Sequence, residues 1–236
     1  MPKQGKRDYN NPKAYRVISL LNCLGKVLEK LYATRLSYLA NTPRGGLLLD
    51  KTQLGGGKQR SAIDTVLLLT NYVQEQRARK KAASNTITTA LFLDIKGAFD
   101  HVSRPQMLSM LAKLQLPRAL ISWVDSFLTG RKLQLAFEGQ RSSMTPIATG
   151  IPQGSPISPI LFLIYIRDIV AARDPAGPQL LQLSYIDDFC IATSSTSAQR
   201  NCERLERVAA GLIAQATESR AQFDPSKTEL IHFTTR

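Results

Sequence analysis

The chain has 236 residues, of which 43% are hydrophobic and 21% are charged. This balance is typical of a folded globular protein and excludes a wholly disordered chain. The formal net charge of +13 favours a polyanionic partner, because basic side chains that neutralise phosphates release counterions. Charge alone is equally consistent with a basic protein that binds no nucleic acid.

The cysteines and the apolar runs exclude further classes of protein. Cys23, Cys190 and Cys202 are widely spaced and form no Cys-x-x-Cys pair, which favours neither a disulfide framework nor a zinc site. The N-terminus lacks the apolar core of a secretory signal. The longest apolar run, residues 160–166, is far too short to span a bilayer. We expect an intracellular protein of the nucleus or cytoplasm, neither secreted nor bound in a membrane.

The N-terminal part of the chain predicts helices. Residues 1–14 are polar and basic, and we interpret them as an N-terminal arm. Residues 15–40 carry leucine or isoleucine every three or four positions, the period of an amphipathic helix whose other face carries Lys26. The sequence SAID at 61–64 resembles a capping box and predicts a helix that runs to about residue 81.

The rest of the chain predicts a sheet backed by helices. Residues 88–95, TTALFLDI, form a continuous β-prone apolar run that is typical of a buried strand. Pro105 and Pro117 each predict the start of a helix. The further predicted elements are a strand at 132–137, a buried helix at 155–172, strands at 180–186 and 189–192, a helix at 198–219 and a strand at 228–233. This order indicates an α+β fold.

Three carboxylates stand out because of their surroundings. Asp94 lies at the end of a predicted buried strand, and Asp187 and Asp188 lie in the turn of a short apolar hairpin. Adjacent carboxylates flanked by apolar residues repel each other and resist desolvation, and a cation would resolve that conflict. Nucleotidyl transfer uses two magnesium ions about 3.5–4 Å apart on hard oxygen ligands. The alternatives are an exposed Asp-Asp turn and, for Asp94, a strand-end aspartate that caps a turn.

Three segments carry a family resemblance. They are FLDIKGAFD at 92–100, GIPQGSPISP at 150–159 and YIDD at 185–188. In this order they resemble the palm motifs of reverse transcriptases. The sequences AFDHVS, GIPQGSPISPILF and FDPSKTELIHF are similar to the non-LTR retrotransposon branch, and the resemblance extends over about residues 15–233.

The resemblance implies a right-hand polymerase fold, with a palm of antiparallel sheet backed by helices and a helical fingers region. It divides the chain into an arm at 1–14, fingers at 15–87 and a palm at 88–236, with fingers elements interleaved at about 105–150. The thumb of full-length relatives is expected to be absent.

The implied function is RNA-templated DNA synthesis within a retrotransposon-type polyprotein. The implied partners are an RNA template, a DNA primer and a dNTP, and the implied cofactor is a pair of Mg²⁺ ions, with Mn²⁺ as an alternative. The competing hypothesis is a retroelement fragment that binds nucleic acid without turnover.

The resemblance also assigns catalytic roles. Asp94, Asp187 and Asp188 are implied metal ligands, and the carbonyl of Ile95 is implied to complete one site. Lys227 is implied to lie near the leaving pyrophosphate as a general acid, with a surface lysine in a turn as the alternative.

Nucleotide-binding roles follow from the same resemblance. Phe99 is implied to be the gate against a ribose 2′-hydroxyl, with a core phenylalanine as the alternative. Gln153 and Gly154 are implied to line the nucleotide pocket, and the alternative is a helix entry rich in Pro, Gly and Ser that only turns the chain. In the fingers motif at 53–61, Gly57 stands where relatives commonly have arginine, so Lys58 or Arg60 is expected to contact the triphosphate. The alternative for Arg60 is a solvated side chain beside the start of a helix.

The remaining assignments concern nucleic acid and geometry. The residues expected to contact nucleic acid are Arg16, Lys26, Gly150 and Ser155. We expect the carboxylates of Asp94 and Asp187 to converge at one edge of the sheet. Phe99 and Gln153 are expected on the walls of an open cleft that Arg60 faces from the fingers side.

Overall fold

The fold is seen in a computed structural model that describes residues 1–5, 7–41, 48–57, 59–79, 86–173 and 180–234. The helices are α1 (Cys23–Asn41), α2 (Ala62–Arg79), α3 (Arg104–Lys113), α4 (Arg118–Leu128), α5 (Ser158–Tyr165), α6 (Arg167–Ala171) and α7 (Ala198–Glu218). The strands are β1 (Ile87–Asp94), β2 (Lys132–Leu133), β3 (Ala136–Phe137), β4 (Gln140–Arg141), β5 (Thr145–Pro146), β6 (Leu181–Tyr185), β7 (Asp188–Ser195) and β8 (Glu229–Phe233). The predicted mixture of helices with an antiparallel sheet is confirmed.

Four strands form the central sheet, in the order β6-β7-β1-β8. Every neighbouring pair in it is antiparallel. The register of β1 against β7 runs from Ile87 opposite Ser195 to Asp94 opposite Asp188. The end of β1 and the start of β7 therefore lie side by side. The four shortest strands form two separate pairs, β2 with β5 and β3 with β4.

Helices cover the sheet with apolar surfaces that match their sequences. Helix α5, SPILFLIY, is apolar on all sides and is buried almost throughout, as expected of a central helix. Helix α7 packs on β7 and β1 with one face only. Its buried residues recur every three or four positions: Asn201, Leu205, Val208, Leu212 and Ala216.

Three predicted elements differ from the structure. Helix α1 begins at Cys23, not at residue 15. The Asn22 side chain accepts a hydrogen bond from the Leu24 amide at 2.9 Å at the start of the helix. Before it, the Ser19 amide donates to Gln153 O at 2.7 Å, so it is not available for a helical hydrogen bond. The strand predicted at 132–137 is wrong, since its two ends belong to different strand pairs. The helix predicted at 155–172 begins at Ser158 and is divided at Ile166 into α5 and α6.

The other helix signals are confirmed. The Ser61 amide donates to the Asp64 carboxylate at 2.6 Å, as in a capping box, and α2 follows. Helices α3 and α4 begin beside Pro105 and Pro117. Within the described part of the chain, no helix combines the length and apolarity that crossing a membrane requires.

Candidate active site

The sheet brings the three aspartates together at one end. Asp94 and Asp188 are direct partners across the antiparallel pair of β1 and β7, so their side chains lie on the same face with Cβ atoms about 4.5–5.5 Å apart. Asp187 precedes β7, and its carbonyl accepts the Ile95 amide at 3.2 Å. Two segments far apart in the sequence therefore place three carboxyl groups at one end of the sheet.

Negative charge accumulates at this end. Burial raises the pKa of Asp187, and the charges of Asp188 and Asp94 raise it further, while Lys227 opposes the rise. The pKa of Asp188 is also raised, by burial and by the charge of Asp94. Raised pKa values mean that the surroundings disfavour the charged forms. A cation bound here would therefore stabilise the ionised carboxylates of Asp187 and Asp188.

Lys227 supplies part of the missing positive charge. Its ammonium donates to the Asp94 carboxylate, and this hydrogen bond raises the pKa of Lys227. The lysine side chain is 61% exposed, whereas that of Asp94 is 13% exposed. The 3₁₀ turn Pro225–Lys227 is held near β1 because the Asp224 amide donates to Asp94 O at 2.8 Å. Lys227 is thus attached to the site by a side chain that has room to move.

The aspartates fit a divalent cation in chemistry, although they do not form a closed coordination sphere. Their carboxylate oxygens are the hard ligands that Mg²⁺ prefers, and the raised pKa values of Asp187 and Asp188 indicate uncompensated negative charge. Among the residues that the structure describes, no three His, Cys, Asp or Glu side chains are grouped as a metal site. The Asp94 carboxylate is engaged by Lys227. Lys227 occupies only the Oδ2 oxygen of Asp94, so a cation that binds all three carboxylates either uses the other Asp94 oxygen or displaces Lys227.

A cavity of about 630 Å³ opens on this end of the sheet. That volume is in the range of small-molecule sites. Asp94, Asp188 and Tyr185 line it from the sheet, and the start of α2 and Lys227 also line it. A larger cavity of about 710 Å³ lies between α7 and the sheet and contains none of the aspartates. The smaller cavity is the better candidate because it holds the charged groups.

Phe99 and Gln153 do not line this cavity, and their placement on the walls of a cleft stays a prediction. Phe99 is half-buried and stacks on Phe162, with ring centroids 5.1 Å apart. The Gln153 amide donates to the Asp100 carboxylate at 3.2 Å. Arg60 is also not among the residues that line the cavity. The roles of these three residues at the nucleotide stay predictions.

Two predicted glycines are required by close approaches of the backbone. Gly154 has a φ of +109°, and a Cβ there would lie 3.1 Å from Ser19 O. Gly150 has a φ of +83°, and a Cβ there would lie 2.8 Å from Asp100 O. These contacts pack the 150–154 segment against two earlier parts of the chain and explain both glycines without a ligand.

The nucleic-acid residues fall into different environments. Ser155 is 3% exposed and its hydroxyl donates to Glu29, which is 5% exposed. The predicted contact of Ser155 with nucleic acid therefore does not fit the structure, because its hydroxyl is buried and already used. Arg16 is exposed and Lys26 is half-buried. Lys58 lies outside the described residues.

Sequence reasoning missed two buried polar side chains, one of which contacts the hairpin that carries Asp187. Glu29 lies on α1 and pairs with Ser155. Gln53 is 6% exposed and contacts the hairpin that carries Asp187. A helical period that counts only apolar residues passes over Glu29, and Gln53 lies next to a glycine-rich stretch that is typical of a surface loop. Neither residue has a local signal of burial in the sequence.

Comparisons with known proteins agree with this geometry. Residues 1–235 match the family model described as reverse transcriptase (RNA-dependent DNA polymerase). The chain is 33% identical over 186 residues to the RNA-directed DNA polymerase from mobile element jockey of Drosophila funebris, covering 78% of this chain and 19% of that relative. It is 28% identical over 229 residues to the probable RNA-directed DNA polymerase from transposon BS of Drosophila melanogaster, covering 96% and 24%. The chain thus spans about a fifth to a quarter of the length of these relatives.

Solved structures show the same fold at low sequence identity. The telomerase of Candida tropicalis, in complex with a fragment of telomeric RNA, superposes with a TM-score of 0.60 at 14% identity, over 89% of this chain and 34% of that one. The telomerase of Candida albicans gives a TM-score of 0.61 at 15% identity, over 91% and 35%. These likenesses show a shared fold.

Proposed function

The chain belongs to the reverse transcriptase (RNA-dependent DNA polymerase) family, and we propose that it transfers nucleotides from a dNTP to a primer 3′-hydroxyl under the direction of an RNA template. The observation that carries this proposal is the meeting of Asp94 with the Asp187–Asp188 turn at one end of the sheet. The raised pKa values of Asp187 and Asp188 support it, because charge of this kind is what a divalent cation neutralises.

Asp94, Asp187 and Asp188, with the carbonyl of Ile95, are the residues that would hold Mg²⁺, or Mn²⁺ in its place. Two such ions, when bound, activate the 3′-hydroxyl and neutralise the phosphate charge. The backbone register of β1 and β7 holds the carboxylates together before any substrate arrives. This preorganisation lowers the cost of assembling the site at the moment of reaction.

Lys227 is proposed to change partners during the reaction. In the structure its ammonium is bound to Asp94. Release from Asp94 would leave an exposed, protonated amine in the lining of the cavity. Such an amine can donate a proton to the departing pyrophosphate, which is the general acid role.

Arg60 is the proposed triphosphate contact of the fingers loop. The aliphatic part of the Arg60 side chain packs against Gly57. A Cβ added at that glycine would lie only 2.9 Å from Arg60 Cγ. The Arg60 stem therefore occupies the space that a side chain at position 57 would need. A guanidinium can bind phosphate through two parallel hydrogen bonds, so Arg60 supplies the charge that relatives place at position 57.

The test of the proposal is primer extension on an RNA template with Mg²⁺, comparing wild type with Asp187→Asn. We expect the variant to lose at least about 100-fold in rate, the scale of removing an electrostatic group from a catalytic site. Asp125→Asn is the matched control, because Asp125 lies on α4 and pairs with Arg104 at 2.7 Å, away from the site. Equal extension by wild type and Asp187→Asn would refute the proposal.

Sugar selection tests the role of Phe99. If its ring excludes the 2′-hydroxyl, Phe99→Val raises ribonucleotide incorporation relative to deoxyribonucleotide by on the order of 10-fold. The measurement is the ratio of kcat/KM for the two nucleotides. An unchanged ratio would assign Phe99 to the core, where it already stacks on Phe162.

A second candidate function is nucleic-acid binding without turnover. The pairing of Lys227 with Asp94 favours it, because the ammonium occupies one oxygen of that carboxylate and its positive charge weakens cation binding there. The net charge of +13 favours binding under either hypothesis. Salt-sensitive binding of an RNA–DNA hybrid, with no extension at high protein concentration, would support this second function.

A further inference from the structure

The segment at residues 52–55, here called the strap, lies along the hairpin that carries the aspartates. The Leu54 amide donates to Ser184 O at 2.8 Å, and the Ser184 amide donates to Thr52 O at 2.9 Å. These are the bonds of a short parallel bridge between Gln53 and Ser184. The strap therefore adds backbone pairing to the outer edge of β6, just before the turn that contains Asp187.

The side chain of Gln53 reaches the turn itself. Its Oε1 accepts the Ser184 hydroxyl at 2.7 Å, and its Nε2 donates to Ile186 O at 3.4 Å. Gln53 is 6% exposed and Ser184 is 1% exposed, so water does not compete freely for these groups. A buried amide that uses both ends in this way fixes the orientation of its partners.

The turn needs such support because its backbone is strained. Ile186 has a φ of +57°, a left-handed conformation that is a true outlier for a β-branched residue. Strain of this kind persists only where the surroundings impose it. Ile186 is directly followed by Asp187, so any relaxation of its backbone moves that carboxylate.

Gly55 allows the strap to approach the turn closely. A Cβ at this position would lie 2.5 Å from Ile186 N and 2.8 Å from Ile186 Cγ1. No side chain can be accommodated at that distance from backbone. The glycine therefore permits a contact between the strap and the strained residue that any other amino acid would push apart.

The strap is also anchored at its other end. Asp50 accepts the Thr52 amide at 2.9 Å and pairs with Arg173 at 2.8 Å. These bonds hold the pKa of Asp50 below its ordinary value against the opposing effect of burial. The start of the strap is therefore held in place by Asp50 and Arg173, and Gln53 within it contacts the turn.

We propose that Gln53 and Gly55 are positioning residues that hold Ile186 in its left-handed conformation and thereby fix Asp187 and Asp188 for catalysis. This inference rests on the proposed function of the aspartates. It assigns the first half of the glycine-rich fingers motif to the aspartate turn rather than to the nucleotide.

Gln53→Met is the decisive variant, and Gln182→Met is its matched control. Gln182 is also 6% exposed and lies on β6, but its amide donates to Val170 O at 3.0 Å, on α6 and away from the turn. Both substitutions remove one buried amide, so their unfolding midpoints should fall by similar amounts. Only Gln53→Met should lower kcat, by about 100-fold, the effect of displacing a reacting group by about 1 Å. The KM for dNTP should change less than about threefold, since the nucleotide contacts remain.

Two readouts do not depend on turnover. Hydrogen exchange in a peptide that contains Ile186 and Asp187 should be at least about 10-fold faster in Gln53→Met and unchanged in Gln182→Met. Mn²⁺ binding, followed by the electron paramagnetic resonance of the free ion, should weaken by about fivefold or more in Gln53→Met alone. Gly55→Ala should reproduce both changes, and Ser184→Ala added to Gln53→Met should cause little further loss, because the two residues act as one unit.

The outcomes separate this inference from the proposed function. If wild type neither binds Mn²⁺ nor extends a primer, the proposed function fails and the positioning of catalytic aspartates fails with it. If wild type does either, and Gln53→Met matches Gln182→Met in exchange, Mn²⁺ binding and kcat, the positioning role alone is overturned. Faster exchange at the turn with weaker Mn²⁺ binding in Gln53→Met supports it.

Discussion

Apolar residues are placed differently in two regions of the molecule. They are buried in the sheet and its covering helices, whereas many of them are exposed on helices α1 and α2. Leu161 on α5 is fully buried, whereas Leu24 on α1 is 83% exposed and Ile63 on α2 is 68% exposed. The buried face of α1 instead includes Glu29 and Leu36. The region that carries the aspartates is thus a packed core, and the predicted fingers helices present much of their apolar surface outward. A helical period identifies a helix, but it does not identify the face that is buried.

Thiol reactivity should give the largest contrast between the two regions. Cys190 on β7 is buried, and burial raises its pKa to about 12, so only about one part in 10⁴ is thiolate at pH 8. Cys23 at the start of α1 is exposed. We expect iodoacetamide at pH 8 to alkylate Cys23 at least about 100-fold faster, as measured by mass spectrometry of the native protein. Comparable rates would show that the sheet opens readily.

Leucine deletions should separate the regions in stability. Leu161→Ala should lower the free energy of unfolding by about 2–5 kcal/mol, because it leaves a cavity in a packed core. Leu24→Ala should change it by less than about 0.5 kcal/mol, because that side chain is already in solvent. Urea denaturation measures both. A large loss for Leu24→Ala would mean that the exposed stripe of α1 is covered in solution.

Two aspartates, one in each region, should respond to pH with opposite signs. Burial raises the pKa of Asp187, so the folded protein binds this proton more tightly than the unfolded chain does. The stability contributed by this group therefore falls as the pH rises from the pKa of the unfolded state through that of the folded state. Hydrogen bonds from Ser61 lower the pKa of Asp64, so its contribution is present at neutral pH and is lost in acid.

The corresponding variants give the smallest expected effects. At pH 7 Asp187→Asn should unfold at a higher temperature than wild type, and Asp64→Asn at a lower one. Both differences should fade as the pH falls below about 4, where the unfolded aspartates are protonated. The measurement is the unfolding midpoint between pH 3 and 7 without divalent cations. An Asp187→Asn variant less stable than wild type at pH 7 would contradict the charge excess at the sheet.

Local signals predicted much of the fold. The apolar run at 88–95 anticipated β1, Pro105 and Pro117 anticipated α3 and α4, and the capping box at 61–64 anticipated α2. These signals succeed because strand burial, proline geometry and helix capping act between residues that are close in the chain.

Sequence pattern determined the chemistry of the candidate site, namely aspartates at strand ends in the order of the palm motifs. Tertiary structure decided which groups contact this site, namely Lys227 on Asp94 and Gln53 on the Ile186 turn, and it also paired the buried Glu29 with Ser155. It also decided the outward face of α1. Each of these contacts joins residues more than 100 positions apart or depends on the neighbours of a helix. A local period or spacing contains no information about such partners, because burial and pairing are set by the whole fold.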